Sequence, residues 1–142
     1  MAAIELARKC PPSTSAFSVG AIIVGSGGME LSRGYSRETD PHVHAEEAAL
    51  AKLGVVDKAR LAGSTMYSTL EPCSERRSRP RTCTQLTIEA GIPRVVIAWR
   101  EPNLFVADCQ GVELLASHGV EVLEVSDLAA LASAVAMPAR RA

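Results

Sequence analysis

The sequence predicts an α/β fold, a three-layer α/β/α sandwich around a five-stranded mixed sheet, in one domain spanning 1–142. Three observations predict it. Short apolar runs bounded by Gly, Pro or Asp alternate with segments whose apolar residues recur at helical spacing. The first two runs are joined by a Gly-rich turn, which makes an antiparallel pair. After residue 64 strands alternate with helices, so those strands, the last two included, run parallel through right-handed crossovers.

Each element has its own signal. Residues 2–9 place Ile4, Leu6 and Ala7 among charges, a short amphipathic helix stopped by Pro11-Pro12. Residues 19–24 form a buried strand, 25–28 a turn and 29–37 the antiparallel partner. Asp40-Pro41-His42-Val43 is a loop. From His44 the spacing of Ala45, Ala48, Ala49 and Leu50 is helical, and Gly54 ends it. Residues 64–70 are a third strand, interrupted by Pro72. Residues 84–90 are a helix closed by Gly91 and Pro93. Val95-Val96-Ile97-Ala98 is wholly apolar, as an interior strand is. Residues 110–117 are a helix, and 120–125 alternate apolar and acidic as the fifth strand. Ser126-Asp127 is expected to cap a last helix over 128–135, with 136–142 a frayed tail.

Composition narrows the function. Hydrophobic residues are 47%, charged residues 22% and net charge −1, so nothing drives the whole chain toward nucleic acid or an acidic membrane. The apolar run at 19–24 is too short to cross a bilayer. With no export signal at the N-terminus, a cytoplasmic location is expected, and the four cysteines are expected as thiols. Cys10 and Cys109 lack a partner at ligand spacing and are expected to be structural.

The decisive pattern is His44-Ala45-Glu46, then Pro72-Cys73, then Cys83. One imidazole and two thiols supply three zinc ligands and leave the fourth tetrahedral position open, as in catalytic rather than structural sites. H-x-E followed by P-C-x-x-C marks zinc deaminases; here nine residues, not two, separate the cysteines. His44 is expected at the first turn of one helix, Cys73 at the first turn after the third strand and Cys83 at the start of the next helix, so that two helix starts, whose partial positive charge favours the thiolate, face one ion. His42 is a rival ligand, but that choice leaves Glu46 without a role, so it is placed at the pocket rim or behind the ligands, or else in solvent. Helical spacing favours Glu47 over Glu46 as the group facing the ion, although the rule weakens at a helix's first residue.

On these residues the chain resembles the cytidine-deaminase-like superfamily, and within it the pyrimidine deaminase domain of riboflavin biosynthesis. The matching residues are Val19-Gly20, His44-Ala45-Glu46, Thr69-Leu70-Glu71-Pro72-Cys73-Ser74, Cys83, Ala90-Gly91-Ile92, Arg94-Val95-Val96 and Glu101-Pro102-Asn103 before Val106. The family's long loop between the cysteines accounts for their spacing. The resemblance implies a hydrolase acting on the C–N bond of a cyclic amidine. Zn2+ would be held by His44, Cys73 and Cys83, Glu46 would move the protons, and Glu47 would be a solvated first-turn carboxylate. It also implies a homodimer or larger homo-oligomer, a small amino-heterocycle as substrate, and a backbone carbonyl near Leu70 or Glu71 as acceptor for the amine. The ring is pyrimidine-type, as base, nucleoside or nucleotide; the riboflavin-pathway diaminopyrimidine is the nearest named candidate. The alternatives are a deaminase of another nucleobase or specialised metabolite, or a zinc-stabilised binding protein without turnover.

The chain departs from the riboflavin pattern where substrate is expected. Ser15-Ala16-Phe17 stands in place of Pro-Asn-Pro, and Ser36 follows Gly34-Tyr35 where a histidine is usual. The loop between the cysteines carries Arg76, Arg77, Arg79 and Arg81. These arginines suit a phosphate clamp, a solvated rim or a subunit contact; for nucleic acid they are a small patch. Trp99, Asn103 and Phe105 follow the fourth strand, and the two aromatics are candidates to stack on a base.

Overall fold

The structure, a computed structural model, describes residues 1–102 and 109–138. A five-stranded sheet has the order β2-β1-β3-β4-β5, built from β1 (Gly20–Val24), β2 (Glu30–Tyr35), β3 (Thr65–Ser68), β4 (Arg94–Ile97) and β5 (Glu121–Glu124). β1 pairs antiparallel with β2 and β3, while β3 with β4 and β4 with β5 are parallel. The mixed sheet and the parallel final strands are as the alternation of elements predicts. β4 lies inside the sheet, as its apolar run requires.

The helices are α1 (Ala2–Ala7), α2 (Ala45–Ala51), α3 (Val55–Ala59), α4 (Cys83–Glu89), α5 (Gly111–Ser117) and α6 (Ala129–Ala136). β1 divides the core by its alternation. Ile23 points into the main cluster with Ala49 of α2, Met66, Val95, Ile97 and Leu115 of α5, whereas Ile22 meets Ala3 and Leu6 of α1. α6 joins α1 on that second side, where Ile4, Ala98 and Ala132 pack together.

Three expectations need correction. Ser126 and Asp127 do not cap the last helix: Ser126–Leu128 is a 3-10 turn, and α6 has no side-chain cap. Ala136, expected at the start of a frayed tail, is instead fully buried inside α6 against Phe17, Val19 and Leu70. Residues 55–63, assigned to no element from sequence, hold α3 and a 3-10 turn (Leu61–Gly63); α3 buries no residue, so it left no apolar stripe to find.

Candidate active site

Two close approaches bring the functional segments together. Gly34 of β2 lies directly under α2: a Cβ there would meet the Ala45 carbonyl and the Ala49 amide. Gly111 does the same for α5, where a Cβ would strike the Pro72 carbonyl. Glycine at both positions lets backbone touch backbone.

His44 is the N-cap of α2, extended at φ −89° and ψ 160°. Cys83 is the first residue of α4, whose start is fixed by a capping box. Thr82 Oγ1 accepts from the Gln85 amide at 3.1 Å, and Gln85 Oε1 accepts from the Thr82 amide at 2.9 Å. Cys73 lies just beyond β3 in irregular chain. It is held against α4 by its carbonyl, which accepts from the Thr84 amide at 3.2 Å and the Thr84 hydroxyl at 2.8 Å. The Cys83 amide donates to Cys73 Sγ at 3.3 Å.

The three side chains converge although 29 and 10 residues of chain separate them. His44 Nδ1 is 3.6 Å from Cys73 Sγ and 3.3 Å from Cys83 Sγ, and all three donor atoms lie within 4.8 Å of one another. The bond lengths of a tetrahedral zinc ion, ~2.3 Å to sulfur and ~2.0 Å to nitrogen, put such donors roughly 3.5 Å apart. Among the described residues this is the cluster able to hold a metal ion. Its protons say the same. Hydrogen bonding from Cys83, and then from His44, pushes the Cys73 thiol down to about 4, while its bond to Cys73 and its burial hold Cys83 well above the ordinary range. Two sulfurs sharing one proton in a buried site are what a divalent cation would relieve.

Glu46 is 4% exposed, and its Oε1 accepts from the Ser68 hydroxyl at 2.8 Å. Burial raises its pKa, against the pull of the His44 charge. His44, Glu46 and Cys73 line a cavity of about 660 Å³. Glu47 is not solvated as expected. Its side chain is 23% exposed and accepts from Arg76 at 2.9 Å and from the His44 amide at 3.3 Å.

The other predicted residues fall in different places. Glu71 lines the cavity, but its carboxylate is committed to the amides of Glu101 at 3.0 Å and Val112 at 2.9 Å. Arg76 and Arg77 line the cavity; Arg79 instead pairs with Asp40 at 2.5 Å. His42 is exposed and outside the cavity wall. Trp99 packs edge-on against Phe17, centroids 5.9 Å apart, and it is Phe17 that borders the cavity. Asn103 and Phe105 lie outside the described residues. Ser68 and Glu101 were missed. Ser68 carried a signal, a polar residue on the buried face of a strand just before Thr69-Leu70-Glu71-Pro72-Cys73; Glu101 carried none beyond its place in the resemblance.

A family model described as the cytidine and deoxycytidylate deaminase zinc-binding region matches residues 1–99. The chain belongs to this deaminase family. Among its relatives is a diaminohydroxyphosphoribosylamino-pyrimidine deaminase of Schizosaccharomyces pombe, 45% identical over 86% of this chain and 30% of the relative. The riboflavin biosynthesis protein RibD of Aquifex aeolicus is 41% identical over 74% of this chain and 27% of its own length. The chain thus spans about a third of the curated family members it matches. Among solved deaminases, the Aspergillus oryzae Rib2 deaminase in complex with DARIPP superposes with a TM-score of 0.80 at 26% identity, covering 95% of this chain and 86% of that one. Of the residues read from sequence as departures from the riboflavin pattern, Ser15, Phe17, Ser36, Arg76 and Arg77 line the cavity, while Ala16, Arg79 and Arg81 do not.

Proposed function

We propose that this protein is a zinc-dependent hydrolytic deaminase of an amino-substituted pyrimidine-type ring, with a phosphorylated diaminopyrimidine as the favoured substrate. The observation that carries it is a buried carboxyl, Glu46, opening with His44 and Cys73 onto one cavity. His44, Cys73 and Cys83 would hold the ion, whose chemistry is to make water acidic enough to attack at neutral pH. Glu46 takes a proton from the attacking water and returns protons to the ring nitrogen and the departing amine. The ring C–NH2 and H2O thereby become C=O and NH3. The Ser68 hydroxyl steadies Glu46. Phe17 offers the ring an apolar wall.

Arg77 supports the phosphorylated form. It is exposed on the cavity wall and has no ion-pair or hydrogen-bond partner among the described residues, so its guanidinium is available to an anion. The S. pombe relative's name points to the same substrate class. All four cysteines are free, in keeping with a reducing cytoplasm, and among the described residues no helix is long and apolar enough to cross a membrane. Homo-oligomerisation remains part of this proposal.

Ammonia release from phosphorylated and unphosphorylated diaminopyrimidines, cytosine, guanine, adenine and triazine compounds tests the reading. Glu46→Gln is expected to lower kcat by roughly 10²–10⁴-fold with zinc retained. Arg77→Ala is expected to raise KM for the phosphorylated compounds alone. Zinc-loaded wild type silent on every compound would favour a binding protein without turnover.

A further inference from the structure

The loop between the cysteines is fastened to the histidine segment by one buried arginine. The Arg76 side chain is 2% exposed. Its Nη2 donates to the His42 carbonyl at 2.6 Å and to Glu47 Oε1 at 2.9 Å, and its Nε donates to Ser78 Oγ at 3.2 Å. The same Glu47 oxygen accepts from the His44 amide at 3.3 Å. A second strap runs beside the first: Arg79 reaches Asp40 at 2.5 Å and Glu47 Oε2 at 3.6 Å, and Asp40 Oδ1 accepts from the His42 amide at 2.7 Å. Of the four loop arginines, Arg81 pairs with Glu89 at 2.9 Å on the surface, whereas Arg76 and Arg79 are spent on the histidine segment. They join the segment carrying Cys73 and Cys83 to the one carrying His44.

We propose that Arg76, acting through Glu47, is a positioning residue that sets the imidazole against the two sulfurs and so fixes the affinity of the metal centre. This rests on the zinc reading above. His44 sits at a helix N-cap in extended chain, and the backbone before it, 38–43, contains no helix or strand. Buried Val43, whose carbonyl accepts from the Arg37 amide at 2.8 Å, holds its entry on one side, and the His42 carbonyl and Glu47 carboxylate, both gripped by Arg76 Nη2, hold it on the other. An ammonium at position 76 would keep the charge but not the planar group whose Nε, held on Ser78 Oγ, aims Nη2 at both acceptors. Partners that orient a metal's ligands are worth about 10–100-fold in affinity.

The experiment is zinc competition against a chromophoric chelator, alongside urea unfolding of the metal-free proteins. Arg76→Gln, Arg76→Lys and Glu47→Gln are each expected to lose about tenfold or more in zinc affinity. The Arg76→Gln/Glu47→Gln double variant should be little worse than either single change, because the two residues act as a unit. Arg81→Gln, which removes an exposed charge from the same loop, should bind as wild type does. The metal-free midpoints of the Glu47 and Arg76 variants should shift far less than their affinities. Zinc affinity within twofold of wild type in Arg76→Gln, rescue by Arg76→Lys, or losses matched by equal losses of metal-free stability would overturn the proposal. Wild type that takes up no zinc overturns the deaminase reading itself, and this inference with it.

Discussion

The Ser68 hydroxyl, at the end of β3, donates to Glu46 Oε1 at 2.8 Å and ties Glu46, the proposed proton carrier, to the central strand. Both residues are buried. Ser68 can also turn its single hydrogen to the Leu70 carbonyl, likewise at 2.8 Å, so the bond to Glu46 is one of two settings. Ser68→Ala removes it. A hydrogen bond to a charged group is worth about 1.5 kcal/mol, so kcat should fall roughly tenfold with zinc content unchanged. Steady-state kinetics with metal analysis checks this; unchanged kcat would make Ser68 a packing residue only.

Removing one sulfur should uncouple stability from metal. Cys83 is fully buried. In Cys83→Ser, a thermal scan should show no upward shift when zinc is added to chelator-treated protein. Wild type should gain about 4 kcal/mol at zinc a thousandfold above Kd. An equal shift in both proteins would place the ion elsewhere.

Glu101 should make stability depend on pH. Burial, reinforced by the charges of Cys73, Glu71 and Glu46 against a hydrogen bond with Cys109, raises its pKa from 4.5 to about 7. Between those values the folded protein keeps a proton that the unfolded chain has released. Its contribution is therefore whole below the unfolded pKa and is lost as pH rises through about 7. Urea midpoints at about pH 5 and pH 8 should differ more in wild type than in Glu101→Gln. Parallel behaviour of the two proteins would rule this out.

Gly34 sets how closely α2 lies on the sheet. A Cβ would be 2.5 Å from the Ala45 carbonyl and the Ala49 amide and 2.8 Å from Ala48 Cβ. Gly34→Ala should cost about 1–3 kcal/mol, as overpacking does. Because the displaced helix carries His44 and Glu46, zinc affinity should fall too. Denaturant unfolding and zinc competition together check it; a stable variant with normal affinity would mean that α2 moves without disturbing the site.

The order of strands and helices, the parallel final strands and the set His44, Cys73 and Cys83 that converges in the fold were legible in the chain. They depend on periodicity and on which atoms can bind zinc, and both are local properties. Choosing between Glu46 and Glu47 from helical spacing was not possible, because spacing counts residues and does not say which one the cap consumes. Glu47 occupies the third helical position, and its carboxylate turns back to the His44 amide. That leaves Glu46, one position earlier, to face the cavity.

The loop of arginines marks the boundary between the two kinds of information. By itself the sequence determined that four guanidiniums would lie between Cys73 and Cys83, and that they suit anions. Only the tertiary structure decided that Arg76 and Arg79 meet Glu47 and Asp40, residues 29 and 39 positions away in the chain, while Arg77 stays at the cavity. An ion pair between distant segments exists only once packing has brought them together. Here that packing is α2 seated on Gly34 and the Cys73 segment bound to the start of α4.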